Sequence, residues 1–223
     1  MSALLAIREL FGIDGDWGYP EEAMAPWLER FGAIPDVLRQ YYTTLGAHHG
    51  LNQTQDALVI PDTDQPALYR LSTFLRNDYL VFYAENQIAS ICGVKADDVT
   101  QPDPPVYQST DGDDWFVVAD TISQFLLSEA HMQATFGREY VSEMPWDVTD
   151  EQLAAVARLF PSKNADSDLY TGVKFFGEPG TDIMLLRAGD HWIMFFGCED
   201  EECYDALEAR LAGIVDASAF TDG

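Results

Sequence analysis

The residues best suited to chemistry are a histidine and two cysteines near the C-terminus. The stretch "HWIMFFGCEDEEC" places His191 ahead of Cys198 and Cys203, with acidic residues between the two cysteines. Imidazole and thiolate groups bind zinc, so these side chains could in principle hold a metal ion. Cys-x₄-Cys with one distant histidine is not a zinc-finger spacing, however, and tetrahedral sites usually need four protein ligands. We favour a strand end followed by a helix start, and we predict no metal and no cofactor.

The other histidines do not form a recognisable catalytic group. His48 and His49 follow the end of a predicted helix, and His131 falls on the polar side of another. Motifs for a nucleophile elbow, a zinc-binding helix or a phosphate loop are absent from the sequence. We therefore predict that the protein is not an enzyme. A deep pocket that holds His191 or His131 beside a carboxylate would reverse this prediction.

The charge of the chain is its strongest global signal. Its 223 residues include 38 Asp and Glu against 12 Lys and Arg, which gives a formal net charge of −26. Binding to nucleic acid needs cations that displace counterions from phosphates, so we expect no direct nucleic-acid partner. An acidic surface attracts basic proteins and accelerates their encounter. Composition also leaves open that the acidity only keeps the protein soluble or reflects a salty habitat.

The acidic residues are concentrated in two stretches of the chain. Between Ala96 and Gly137 there are eight Asp or Glu residues and no Lys or Arg, and "EDEE" covers 199–202. Acidic loops are often merely solvated, but the absence of basic neighbours favours recognition of a basic protein, with Tyr107 as an aromatic anchor. The predicted contacts are Asp97, Asp98, Asp103, Tyr107, Asp111, Asp113 and Asp114 in a first patch and Glu199, Asp200, Glu201 and Glu202 in a second.

Size and composition indicate a globular protein. A chain with 47% apolar and 13% aromatic residues is long enough to bury a core. No apolar run approaches the roughly 20 residues of a membrane helix, and the N-terminus lacks the basic region of a signal peptide. Three cysteines do not make a disulfide framework. We predict a cytoplasmic protein with no membrane partner, and we leave its oligomeric state open.

Short apolar runs predict the strands that position the first patch. "YLVFYA" and "IASICGV" indicate a hairpin, and its connection contains Asn86, a residue able to take a positive φ. "PVYQS" and "WFVV" flank "TDGDD", in which Asp111-Gly112 is a strong turn signal. Farther along, Thr149 and Gln152 predict a capping box, strands are expected over 170–176, 182–187 and 191–197, and a last helix over 201–214.

The order of helices and strands predicts an α+β fold, because strands and helices do not alternate regularly. We expect a mixed, largely antiparallel sheet packed against helices. The chain is predicted to be a single domain over 1–223, with a helical segment over 1–46 and a possible join between lobes near 137–148. Of the two arrangements, we favour one domain with a continuous sheet.

The order of these signals resembles a known family. A proline-entered helix that ends in Leu-Gly ("IPDVLRQYYTTLG") precedes a strand with an acid-Asn-Gln turn ("LVFYAENQ"). An acidic turn ("ICGVKADD"), a "DPPVY" segment, a tryptophan-containing strand ("DDWFVVAD") and a helix ("TISQFLLSEA") follow. Over about 30–135 the chain is similar to the SUKH superfamily, which includes bacterial toxin-immunity proteins and, more distantly, fungal cell-wall regulators.

The resemblance implies an α+β domain that binds proteins and offers no catalytic residues to carry over. Many members are thought to neutralise polymorphic toxins, nucleases prominent among them. We therefore expect an immunity protein that neutralises a basic toxin domain, such as a nuclease, through its acidic surface. The alternatives are a regulatory protein-interaction scaffold without a toxin partner, and a small-ligand-binding protein that uses an aromatic sheet face.

Overall fold

The computed structural model of the protein describes residues 2–60, 70–75 and 78–215, and it combines helices with antiparallel strands. The helices are α1 (Ala3–Leu10), α2 (Ala25–Phe31), α3 (Asp36–Thr44), α4 (His49–Asn52), α5 (Leu71–Phe74), α6 (Ile122–Gly137), α7 (Asp150–Leu159) and α8 (Glu201–Ala212). The strands are β1 (Ala57–Leu58), β2 (Tyr79–Ala84), β3 (Ile91–Lys95), β4 (Val106–Ser109), β5 (Phe116–Ala119), β6 (Tyr140–Val141), β7 (Trp146–Val148), β8 (Val173–Phe176), β9 (Thr181–Ala188) and β10 (His191–Cys198). The predicted α+β class is confirmed, as is a largely antiparallel sheet structure packed against helices.

The chain divides into two compact units, Met1–Gln133 and Ala134–Gly223. The first contains a five-stranded sheet in the order β1-β2-β3-β4-β5. In the second, β10 pairs with β6, β7 and β9, while β8 pairs with β9. The preference for one continuous sheet is therefore wrong for the described strands, since each set pairs only within itself and α6 lies between β5 and β6 in the chain. The single domain, with its join near 137–148, stays a prediction.

Helix α3 and the first sheet form the core of the first unit. Leu38, Tyr41 and Tyr42 on this helix, and Leu45 at its end, are all at most 2% exposed. The Tyr42 hydroxyl donates to the backbone carbonyls of Val59, which directly follows β1, and Phe82, which lies in β2. Burying a tyrosine in this way removes apolar ring area from water while its hydroxyl keeps a partner.

The turn between β2 and β3 is built differently from the prediction. The positive φ is at Ile88, with a value of 59°, and not at Asn86. A carboxylate oxygen of Glu85 accepts hydrogen bonds from the backbone N–H groups of Gln87 at 2.8 Å and Ala89 at 3.0 Å. The backbone is thereby wrapped around the Glu85 side chain, which moves the left-handed residue two positions along the chain.

Helix α6 is buried around its whole circumference for more than two turns. Every residue from 128 to 135 is buried, including five polar ones: Ser128, Glu129, His131, Gln133 and Thr135. His131, predicted on the polar side of this helix, is only 7% exposed, so that side of the helix does not face solvent. Helical periodicity presumes one solvated face, and this segment has none. Within the described ranges, no helix combines the length and apolar character that crossing a membrane requires.

The second unit is an antiparallel meander covered by helices. Strands β8, β9 and β10 pair in chain order, which confirms the three predicted strands. Helix α7 begins with the predicted capping box between Thr149 and Gln152. Helix α8 is capped by the Asp200 carboxylate, which accepts a hydrogen bond from the Cys203 N–H at 2.8 Å. Both helices follow the local rule that a short polar side chain satisfies the free N–H groups of the first turn.

Candidate protein-binding surface

The acidic turn between β4 and β5 is held by one of its own aspartates. The Asp111 carboxylate accepts hydrogen bonds from the N–H groups of Asp113 and Asp114, both at 2.9 Å, and from the Ser109 hydroxyl at 3.1 Å. These hydrogen bonds lower the pKa of Asp111, so its negative charge is part of the turn. Gly112 adopts the positive φ of 84° that the Asp-Gly signal predicts. The exposed side chains of Asp113 and Asp114 remain available to solvent.

Three aromatic rings pack together beside this turn. The Trp115 ring stacks on Tyr79 with centroids 3.9 Å apart, and Tyr79 meets the edge of Tyr107 at 5.5 Å. The Trp115 indole N–H donates a hydrogen bond to the Gly112 carbonyl at 3.0 Å. Burial raises the pKa of Tyr79 first, and Tyr107 and Asp98 contribute smaller increases. Asp98 and the predicted anchor Tyr107 thus both lie near the Tyr79 ring. Through Trp115 and Tyr107, that ring connects the turn to strands β2 and β4.

An exposed apolar pair follows the turn on the edge strand. Phe116 is 45% exposed and Val117 is 46% exposed, and both lie on β5 at the end of the first sheet. Large apolar side chains beside acidic ones are typical of a protein-binding surface, because the apolar area supplies affinity and the charges supply orientation. We call Asp111, Asp113, Asp114, Phe116 and Val117 the hairpin surface. Sequence reasoning missed the apolar pair because it read "WFVV" as an ordinary strand.

The remaining acids of the first predicted patch have local partners. Asp97 lies 3.9 Å from the Lys95 ammonium, and the Asp98 carboxylate accepts a hydrogen bond from the Gln101 side chain at 2.7 Å. Asp103 accepts a hydrogen bond from the Ser123 N–H at 2.9 Å, at the start of α6. Asp103 therefore stabilises a helix terminus, and its carboxylate is less free to meet a partner than those of Asp113 and Asp114.

The second predicted patch is likewise partly committed to the fold. Glu199 forms an ion pair with Arg138 at 2.7 Å, and Asp200 caps α8. Glu201 and Glu202 are exposed in the first turn of that helix. Acidic side chains there are stabilised by the positive end of the helix dipole, which is a sufficient structural reason for their presence. The hairpin surface thus combines apolar and acidic side chains, whereas 199–202 presents charge alone.

The geometry rules out the zinc arrangement considered for the C-terminal motif. His191 and Cys198 are the first and last residues of the eight-residue strand β10, so about 23 Å separates them along the strand. His191 instead lies 3.3 Å from Asp190 and 3.5 Å from Asp147. Cys198 is buried, and burial followed by its contact with Cys203 raises the pKa of its thiol to about 12. These three side chains do not form one site.

Comparison of the chain with models of protein families, with curated proteins and with solved structures finds no match.

Proposed function

We propose that the protein is a non-catalytic intracellular binding protein that captures a basic partner through the hairpin surface. The SUKH-like order of its motifs suggests an immunity protein, with a toxin domain such as a nuclease as the partner. The single observation that carries this proposal is an exposed apolar pair, Phe116 and Val117, beside the exposed carboxylates of Asp113 and Asp114. The carboxylates attract a cationic protein, and the apolar pair is buried on contact.

The edge position of β5 adds to this proposal. A strand at the end of a sheet carries backbone groups that a partner can pair with, and soluble proteins normally protect such edges with charge. Here the charges lie at the turn, and the strand itself begins with Phe116 and Val117. A partner that approaches the turn by electrostatic attraction thus meets an apolar strand edge next.

Neutralising the turn should slow capture of the partner. Asp113→Asn with Asp114→Asn is expected to lower the association rate of the basic protein that co-purifies from the native host by about threefold to tenfold at low salt. The salt dependence of that rate should also become shallower. Stopped-flow or surface-based kinetics at several salt concentrations measure both.

The matched control is Glu21→Gln with Glu22→Gln, which removes the same charge from another exposed part of the first unit. It should leave the association rate nearly unchanged. An equal slowing by both double variants would mean that net charge, and not the hairpin surface, drives association. If several unrelated proteins co-purify in place of one basic protein, the result would favour a regulatory scaffold over an immunity protein.

Truncating Phe116, the larger residue of the apolar pair, should instead shorten the lifetime of the complex. Phe116→Ala is expected to raise the dissociation rate about tenfold, since buried aromatic anchors carry much of the affinity in an interface. The association rate should change little. Exposed Leu5, in α1, provides the control Leu5→Ala, because it removes comparable exposed apolar area elsewhere in the first unit. A dissociation rate that Phe116→Ala leaves unchanged would exclude this residue from the interface.

A further inference from the structure

The second unit contains a pocket that the acidic hairpin does not explain. It is an open cavity of about 480 Å³, a volume within the range of small-ligand sites. Its walls come from β6, the turn before β7, Trp146 at the start of β7, and one side of α8. Residues from 139–146 and from 204–208 are thus brought together over a sequence separation that no local motif reveals. Met144, which is 61% exposed, is one of the lining residues that face solvent.

Aromatic side chains form one part of this pocket. Trp146 packs against Phe196 in an edge-to-face arrangement, with ring centroids 5.1 Å apart. Tyr204 stacks on the same phenylalanine ring, with centroids 5.4 Å apart and an interplanar angle of 26°. Phe196 is fully buried, so the two outer rings are fixed to the core of the unit. Tyr140 adds a third ring to the lining. Faces of tyrosine and tryptophan attract cations because their π systems are electron-rich.

Carboxylates form the other part. Glu139, Glu143 and Glu208 line the pocket, and the lining includes neither lysine nor arginine. Burial raises the pKa of Tyr204, and Glu208 and Glu143 raise it further, which places both carboxylates within electrostatic reach of that ring. All three carboxylates are exposed, and because no basic side chain lines the pocket they make the potential there negative, which attracts a cation.

The size of the site favours an organic cation over a metal ion. Among the residues that the structure describes, no three His, Cys, Asp or Glu side chains lie close enough together to share one ion. The three exposed glutamates instead line an open cavity that is large enough for a small organic group, beside rings that a planar or alkylated cation can contact. Guanidinium meets both demands, because its planar fork binds carboxylates and its face stacks on aromatic rings.

We propose that this pocket binds a guanidinium group on an alkyl chain, either an arginine side chain of another protein or a small free guanidine. Glu143 and Glu208 would accept its hydrogen bonds, and Trp146 and Tyr204 would contact its face and its alkyl chain. The site lies wholly in the second unit and is independent of the proposed function of the hairpin surface.

Titration of the full-length protein with three probes tests this proposal. The probes are N-acetyl-arginine amide, its neutral isostere N-acetyl-citrulline amide, and free agmatine, followed through the Trp146 indole N–H signal in NMR spectra. The arginine probe or agmatine should bind at least tenfold more tightly than the citrulline probe. Binding of the peptide-like arginine probe identifies a protein side chain as an acceptable source, whereas binding of agmatine alone identifies a free guanidine.

Two pairs of variants locate the site. Glu143→Gln with Glu208→Gln should weaken guanidinium binding at least tenfold, while Glu151→Gln with Asp168→Asn, which neutralises two exposed acids outside the pocket, should weaken it less than twofold. Tyr204→Leu should weaken it roughly twofold to thirtyfold, and Tyr204→Phe, which keeps the ring, should largely restore it. Equal binding of arginine and citrulline probes, or equal losses in the two double variants, would overturn the proposal.

Discussion

The substitution Arg138→Met should lower the free energy of unfolding of the second unit by about 3–5 kcal/mol. The guanidinium of Arg138 donates two hydrogen bonds to one carboxylate oxygen of Asp182, at 2.7 and 2.9 Å, and a third to Glu199 at 2.7 Å. The Asp182 side chain is only 2% exposed, so the variant leaves an ionised carboxylate in the interior without its main counter-charge.

The charge environment supports a large effect at this pair. Burial acts to lower the pKa of Arg138, yet Asp182 and Glu199 together hold it above its ordinary value. Lys163 is the more distant cation, with its ammonium 3.8 Å from Asp182, and burial lowers the pKa of that lysine. Removing one partner of a buried pair is costly mainly because the other charge stays desolvated.

Hydrogen exchange measured by mass spectrometry provides the readout, because peptides from β9 and β10 report on the second unit by itself. Arg210→Met is the matched control: its pair with Glu178 is about half exposed on both sides, and its loss should cost at most about 1 kcal/mol. Adding Asp182→Asn to Arg138→Met should restore part of the protection, since it removes the uncompensated charge. Equal losses in the Arg138 and Arg210 variants would contradict this account.

Local elements of the fold were predictable because their causes lie within a few residues. The Asp111-Gly112 turn, the capping box at Thr149 and the meander of β8 to β10 each depend on neighbouring side chains and backbone geometry. The left-handed residue at Ile88 also has a local cause, in the Glu85 side chain, whereas the wrong predictions for α6 and for the sheets have non-local causes. Whether α6 keeps a solvated face, and whether two sets of strands join into one sheet, depends on what packs against them, and periodicity carries no such information.

The candidate sites show the same division. Acidic residues were correctly located in the turn between β4 and β5, but the exposure of Phe116 depends on β5 being the last strand of its sheet. The aromatic and acidic pocket unites residues near 140 with Tyr204 and Glu208 from another helix. Neither segment carries a motif for a cation site on its own, so the sequence offered no signal for this pocket.

Replacing the buried Glu129 with glutamine should stabilise the first unit and flatten its pH dependence. Glu129 is 2% exposed, and within the part of the chain that the structure describes neither of its carboxylate oxygens has a hydrogen-bond partner. Burial raises its pKa well above the ordinary value, Asp56 raises it further, and the nearby Tyr83 only weakly opposes the shift. At pH 7, Glu129→Gln is expected to raise the free energy of unfolding by about 1–3 kcal/mol.

The direction of the pH dependence follows from proton binding. The folded protein retains a proton on Glu129 at pH values where the unfolded chain has released it. Its contribution to stability is therefore full below the ordinary glutamate pKa, and it falls by about 1.4 kcal/mol per pH unit as the pH rises toward the folded-state pKa. Burial also raises the pKa values of Tyr41, Tyr83 and Cys92, so these neighbours stay protonated over the same range.

Hydrogen exchange of β2 and β3 peptides between pH 5 and 8, corrected for the intrinsic effect of pH on exchange, measures this dependence for both proteins. The difference in stability between Glu129→Gln and the original chain should grow as the pH rises. Glu29→Gln, at an exposed position in α2, should show a constant difference. A difference that is also constant for Glu129→Gln would mean that the buried carboxyl does not titrate there. A difference that grows with pH would show that Glu129 lowers the stability of the chain at neutral pH. On the same helix, the Gln133 side chain hydrogen-bonds both to residues 54–56 and to Tyr83 in β2.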